Sequence, residues 1–186
     1  MAPALILLLY VLMPLWLLAG VADWLCHRNT HIAQTAGYRE SLLHLLMFGE
    51  VGVALLAGLF LEVTAGVFAL MMLCFLLHEA TALWDVSYAV RRRRVTPLEQ
   101  HVHSFLELLP LTAILLLAVG HWPQFLALFG LGQADWGFRL KETPLPAGYI
   151  VTLLSAVALL EVLPYLEEFW RGWRRRRTTA ATARRA

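Results

Sequence analysis

The stretch ALILLLYVLMPLWLLAGVADWLCHRNTH, residues 4–31, is apolar from Ala4 to Leu25 apart from Asp23, and then turns polar. A membrane-crossing helix needs about 20 mostly apolar residues, so this run is long enough to span. A removable export signal would have a basic start and an apolar core of roughly 7–15 residues. No Lys or Arg precedes Arg28, and the apolar run is longer than such a core, so it reads as a span that stays. Pro14 within it predicts a kink. Toward its end Asp23, His27 and His31 recur at four-residue spacing. With 3.6 residues per turn these side chains share one face. An acid and two imidazoles on one stripe of a membrane helix call for a partner helix or a metal ion.

The rest of the chain repeats the pattern. Of its 186 residues 60% are hydrophobic, and the mean hydropathy of +0.66 places it with integral membrane proteins. Apolar runs over 4–32, 40–61, 64–90, 98–120 and 147–169 predict an all-α protein of five transmembrane helices. The first four are expected to form an antiparallel bundle around a metal site. Residues 1–170 then make a single transmembrane domain, and 171–186 a basic, low-complexity tail expected to be disordered or lipid-facing. Thr96-Pro97 is a natural entry to the fourth helix, since proline suits a first turn. HWPQFLALFGLGQADWGFRLKETPLPAGY, between the fourth and fifth spans, suits an interfacial or short re-entrant segment. No internal repeat is visible.

Charge supplies an orientation. Of fifteen basic residues, thirteen are Arg28, Arg39, Arg91 to Arg94, Arg171, Arg174 to Arg177, Arg184 and Arg185. They lie after the first span, after the third and in the tail, which share a side if five helices alternate. By the positive-inside rule that side is cytoplasmic, with the N-terminus outside and the chain in the cell membrane. Arginine blocks beside spans read as topology signals, not as a nucleic acid surface. Cys26 and Cys74 lack metal-finger spacing and give no disulfide framework.

The polar stripe extends over four spans. Helix two carries Glu40, His44 and Glu50, helix three His78 and Asp85, and helix four Glu99, His103 and Glu107. Counted from the basic loops at about 1.5 Å per residue, His27, His44, Asp85 and His103 share a depth of roughly 9 Å. Asp23, Glu50 and Glu107 form a tier about 15 Å deep, with His78 a little beyond. His31, Glu40 and Glu99 lie shallow.

A charge at a span's centre costs about 2.5–3.5 kcal/mol on insertion scales, and such groups normally face a bundle interior. One or two divalent cations would neutralise several carboxylates and accept imidazole nitrogen, as in the two-metal sites of helical bundles. Two metal ions are therefore expected. A carboxylate and imidazole set without thiolate favours iron, with zinc or manganese possible. The metal candidates are Asp23, His27, His31, His44, Glu50, His78, Asp85, His103 and Glu107. Weaker candidates are Glu40 and Glu99, whose first-turn positions also suit the helix dipole, and His101, which points off the stripe of its helix. The competing reading is a structural salt-bridge network. Glu161, beside Pro164, is placed either to join the site or to bond freed backbone. Tyr88 reads as an interfacial tyrosine or, one turn from Asp85, as a proton or radical relay. His121 and Asp135 read as ordinary residues of the outer loop.

HEATALWD lacks the second histidine of a zinc-protease helix, because Ala82 stands where HExxH needs it. No Gly-x-Ser-x-Gly, phosphate loop or dinucleotide fingerprint is present. HRNTH and HVH, carrying His27, His31, His101 and His103, resemble fragments of the histidine boxes of membrane fatty acid desaturases and hydroxylases. The chain departs from that family in having no HxxHH and in its many acids. The resemblance implies an oxygen-activating di-iron centre near lipid. The expected function is thus an oxidoreductase acting on a lipid or other hydrophobic small molecule, with an electron donor as partner. Alternatives are a zinc-dependent membrane hydrolase, a b-type haem protein, and a metal or proton carrier. The carrier ranks last because the outer halves of helices two to four have no polar groups to continue a pathway.

Overall fold

The computed structural model describes residues 2–183. Among the described residues five helices are long and apolar enough to cross a membrane: α1 (Pro3–Asn29), α2 (Tyr38–Phe60), α3 (Ala65–Ala89), α4 (Pro97–Gly120) and, after a short surface helix α5 (Trp122–Ala127), α6 (Ala147–Ala183). No strand occurs among the described residues, and the only pairing of that kind is a single bridge between Leu61 and Leu140. The all-α, five-span expectation holds.

The helices start where local chemistry says they should. Thr64 caps α3 by accepting from the Val67 amide, and Thr96 and Glu99 form a reciprocal capping box at the start of α4, with Pro97 in the first turn. Between α1 and α2 the chain reverses through His31, in the left-handed conformation at φ 53°, and Gly37 at φ 76°.

Two prolines reshape the helices by one device. α1 widens to a π-turn over Leu8–Leu12, just before Pro14, and α6 does so over Ala158–Val162, just before Pro164. The amide preceding each proline bonds five residues back, Met13 to the Leu8 carbonyl and Leu163 to that of Ala158. In that register the Leu9 carbonyl would look to the nitrogen of Pro14, which has no hydrogen. The Tyr149 hydroxyl, on α6, donates to it instead at 2.8 Å. Where a simple kink is expected at Pro14, the helix carries a π-turn whose orphaned carbonyl is satisfied by a neighbouring helix.

Packing runs in a ring: α1 on α4, α4 on α3, α3 on α2. α6 closes it, its π-turn against α1 and its later half against α2. The bundle is therefore not completed by the first four helices alone. α6 continues through the arginine block as a helix to Ala183. The stretch 171–183, expected to be disordered or lipid-facing, is helical, and 184–186 lie outside the described residues.

The end away from the arginine loops is sealed by residues 133–146. The Glu62 amide bonds the Arg139 carbonyl at 2.9 Å, and the Lys141 amide bonds that of Phe60 at 2.9 Å. Thr64 donates to the Gly137 carbonyl at 2.9 Å. The Lys141 ammonium caps α2 by donating to the carbonyls of Gly58 and Leu61, and its burial pushes its pKa below the usual lysine range. Gly66 allows this covering, since a side-chain carbon there would meet the Trp136 carbonyl oxygen at 2.8 Å. The connection thus consists of the short helix α5 and a run that covers the ends of α2 and α3.

Candidate metal centre

Among the described residues, six carboxylates are buried in the half of the bundle nearest the arginine loops: Asp23, Glu40, Asp85, Glu99, Glu161 and Glu168. They share that interior with His27, His44, His78 and His103 and with one guanidinium, Arg93. With the imidazoles neutral, six acids against one arginine leave five formal negative charges in a low-dielectric interior.

The centre is built on a stacked pair of imidazoles. His27 of α1 and His44 of α2 lie face to face, centroids 4.3 Å apart and planes 8° from parallel. Glu168 of α6 joins them, one oxygen 3.1 Å from Nδ1 of His27 and the other 3.1 Å from Nδ1 of His44. An ionised carboxylate only accepts, so each Nδ1–H donates to it, and a neutral ring then keeps its lone pair on Nε2. This is the orientation that histidine ligands of metals adopt, with the second nitrogen held by a carboxylate.

Both Nε2 atoms turn toward further acids. His27 Nε2 lies 3.4 Å from Asp23 and 3.6 Å from Glu99, and His44 Nε2 lies 3.3 Å from Asp85. Neither meets hydrogen-bond geometry, so both nitrogens are buried without a partner, as are Oε2 of Glu40 and Oδ1 of Asp85. An unsatisfied buried polar atom costs about 1–3 kcal/mol, so four together mark a place for something that would bond them. Nε2 of His103 approaches Asp23 at 2.9 Å. The Tyr165 hydroxyl, on α6, donates to Asp23 at 3.0 Å and to the Gly20 carbonyl at 3.1 Å.

Among the described residues, two groups have donor atoms close enough to share a cation. Asp23, His27 and His103 form one, His27, Glu40 and His44 the other, each with its atoms within 4.8 Å of one another. Since His27 belongs to both, they make one cluster. Arg93, from the loop after α3, closes it toward the arginine end. Its Nε bonds Glu40 at 2.9 Å, and its Nη1 bonds Glu99 at 3.0 Å and Thr30 at 3.4 Å. The two carboxylates it faces hold its pKa above the ordinary arginine value despite the opposing effect of burial.

Five of the nine principal sequence candidates thus do not share one fate with the other four. Asp23, His27, His44, Asp85 and His103 converge, the last four from the shared middle depth and Asp23 from the deeper tier. His78 and Glu107 line a small cavity of about 70 Å³ beside the cluster, together with Gly20, Glu161 and Tyr165. Both nitrogens of buried His78 are unpaired, the Met47 and Leu106 carbonyls approaching without hydrogen-bond geometry. Glu50 stands apart, half-buried, and accepts from Thr81 at 2.9 Å. His31 does not join: it sits in the exposed turn after α1, where the left-handed backbone carries it off the stripe. Among the weaker candidates, Glu40 and Glu99 are at the heart of the cluster, whereas His101 is exposed against Phe105. Tyr88 donates to the Ala36 carbonyl at 3.1 Å and ties down the first turn rather than reaching the site.

Glu168, Tyr165 and Arg93 were not among the sequence candidates. Glu161, Tyr165 and Glu168 follow at i, i+4 and i+7, so one face of α6 carried the same signal as the other helices. Arg93 is hidden in a run of four arginines of which the other three are exposed.

The chain is thus an all-helical membrane protein, five of its described helices long and apolar enough to span, with a buried carboxylate–imidazole cluster that could hold a metal ion. Comparison with protein-family models, with curated proteins and with solved structures finds no match to it.

Proposed function

We propose that the cluster binds two divalent metal ions, iron in preference to zinc or manganese, and that the protein oxidises a lipid or another hydrophobic small molecule. The observation that carries this reading is the His27–Glu168–His44 bridge. Its ring separation of 4.3 Å is close to the spacing of about 3.5–4 Å between ions in two-metal sites. Asp23, His27 and His103, with Glu99 near, would hold one ion. His44 and Asp85, with Glu40 near, would hold the other. Two divalent cations would offset four of the five formal negative charges counted with neutral imidazoles, a role that protonated imidazoles would have to fill in a bare network.

An iron pair in such a set supplies oxygen activation, which is also what the histidine-box resemblance implies. Of the four residues carrying that resemblance, His27 and His103 are in the cluster and His31 and His101 are outside it, so the proposal rests on the cluster. The chain's own residues orient the ligands through Glu168, fix Asp23 through Tyr165, and leave a cavity of about 70 Å³ at His78 and Glu107 for a small co-substrate. Haem fits less well, because rings stacked at 4.3 Å leave no gap for a macrocycle between them. The apolar far half argues against a carrier. The positive-inside rule puts the cluster on the cytoplasmic side, within reach of a soluble electron donor.

The test is metal analysis with Mössbauer and optical spectra of protein purified aerobically in detergent. Two irons per chain with antiferromagnetic coupling support the proposal. Zinc in their place supports a membrane hydrolase using metal-bound water, a Soret band supports a cytochrome, and a metal-free cluster after metal loading overturns it.

A further inference from the structure

Above the cluster, toward the loop-covered end, lies a second and larger cavity of about 290 Å³. Its walls are almost wholly apolar and come from α1, α2, α3 and α4, with Leu12, Leu55, Phe75 and Leu109 among them. Its polar lining is confined to the covered end: Glu62, His121, Lys141 and Thr143. At the other end it meets the small polar cavity, for Trp16 and Val51 line both. The sequence shows why the space exists. The facing positions Ala54 and Gly58 on α2 and Ala113 on α4 are small, and Pro110 replaces a residue that would have donated within α4.

Resting on the metal-centre reading, we infer that this cavity binds a single-chain amphiphile, oxygen-bearing head at the Lys141 end and hydrocarbon tail running down to Trp16. The depth suits one chain. Val51 to Leu59 is eight residue steps along α2, about 12 Å, and the loop adds to it, so the cavity approaches half of a hydrocarbon core of about 30 Å. An apolar wall with polar groups at one end fixes orientation as well as class. Lys141 has three donors and gives two of them to the Gly58 and Leu61 carbonyls, which leaves one for a head-group oxygen. The carbons brought past Trp16 toward the cluster are then those far from the head, and a carbon next to the head is kept away from it.

The experiment uses the full chain in phosphatidylcholine vesicles with two photoreactive fatty acids, one carrying its diazirine at the chain terminus and the other beside the carboxylate. Cross-linked residues are mapped by mass spectrometry. The terminal probe is expected on Leu12, Trp16 and Val51, the head-proximal probe near Thr143 and Leu145, and excess unlabelled fatty acid should remove both. Ala113→Phe and, separately, Ala54→Phe should abolish cavity labelling while metal content stays unchanged. Labelling confined to exposed residues such as Leu18, Leu73 and Leu83, or the two probes exchanged in position, overturns the inference whether or not the variants fold. Metal retained with no cavity labelling sinks the chamber alone. Cavity labelling in a protein that takes up no metal sinks the metal reading and leaves a lipid-binding cavity.

Discussion

Gly172 of α6 lies against the backbone of Tyr38 at the start of α2. A side-chain carbon on Gly172 would stand 2.8 Å from the Tyr38 amide nitrogen and 3.0 Å from its Cα. Backbone cannot swing aside as a side-chain tip can, so this glycine sets how closely α6 docks. Glu168 is one turn earlier on the same face, where it reaches both His27 and His44. Gly172→Ala is expected to push α6 outward, at an overpacking cost of about 1–3 kcal/mol. Thermal unfolding in detergent should show the loss, with weaker metal retention beside it. A variant as stable as the parent, with unchanged metal content, would show that the docking does not hold the bridge.

A second close approach is more forgiving. A carbon on Gly20 would collide with the carboxylate of Glu161, which the π-turn of α6 presents to α1. The obstacle is the end of a flexible side chain, but Glu161 is buried, and yielding would push its carboxylate into the small cavity that it lines. Gly20→Ala should lower the unfolding temperature, and adding Glu161→Ala should recover most of the loss, since the two changes act on one contact. Additive losses in the double variant would place the strain elsewhere.

The helices and the depth of their polar groups were legible because each rests on a local regularity, apolar length for the spans and 3.6-residue spacing for the stripe. His27, His44, Asp85 and His103 meet because a stripe at equal depth on neighbouring helices has one interior to face, and Asp23 from the deeper tier and Glu40 and Glu99 from the shallow one reach the same cluster. What the sequence hid is what depends on neighbours. Arg93 is like its flanking arginines in every respect except the direction its loop gives it. Glu168 follows Glu167 just before a basic run and reads as surface charge unless its i+7 relation to Glu161 is traced across a π-turn. His31 kept the four-residue spacing on paper, but the helix had already ended at Asn29.

The Arg93 guanidinium compensates two buried acids from different helices, Glu40 and Glu99. Arg93→Met leaves both without that partner, and removing one member of a buried ion pair costs about 3–5 kcal/mol. Arg93→Lys keeps the charge but loses the planar fork, so an intermediate loss is expected. Arg94→Met, at an exposed position, is the control and should change little. Equal unfolding temperatures for all three variants would show that the Arg93 pairs add nothing to stability.

If the cluster is a metal centre, stability should follow free metal. A ligand bound only by the folded protein adds about 2.7 kcal/mol at a hundredfold excess over its dissociation constant. Chelation is expected to lower the unfolding temperature, and iron(II) or zinc to restore it. His44→Ala and His103→Ala should each abolish that response, whereas His121→Ala, in the exposed turn after α4, should keep it. A metal response undiminished in His44→Ala would remove that ring from the centre.

Glu168 separates a metal centre from a plain salt-bridge network most sharply. Glu168→Gln preserves size but replaces one accepting oxygen with an NH₂ donor, so only one of the two Nδ1–H groups can still be received. The other ring must turn or change tautomer, which would aim its Nε2 lone pair away from the acids. Loss of an orienting carboxylate behind a histidine ligand typically weakens metal affinity 10–100-fold. Glu168→Gln is therefore expected to lower affinity in that range in a competition titration against a chelator, while the folded, metal-free protein persists. Glu167→Gln, next in the chain but exposed and paired with Arg28, should titrate like the parent. If the two glutamine variants bind metal alike, the stacked imidazoles are held by something other than the α6 carboxylate, and the two-ion arrangement built on it fails.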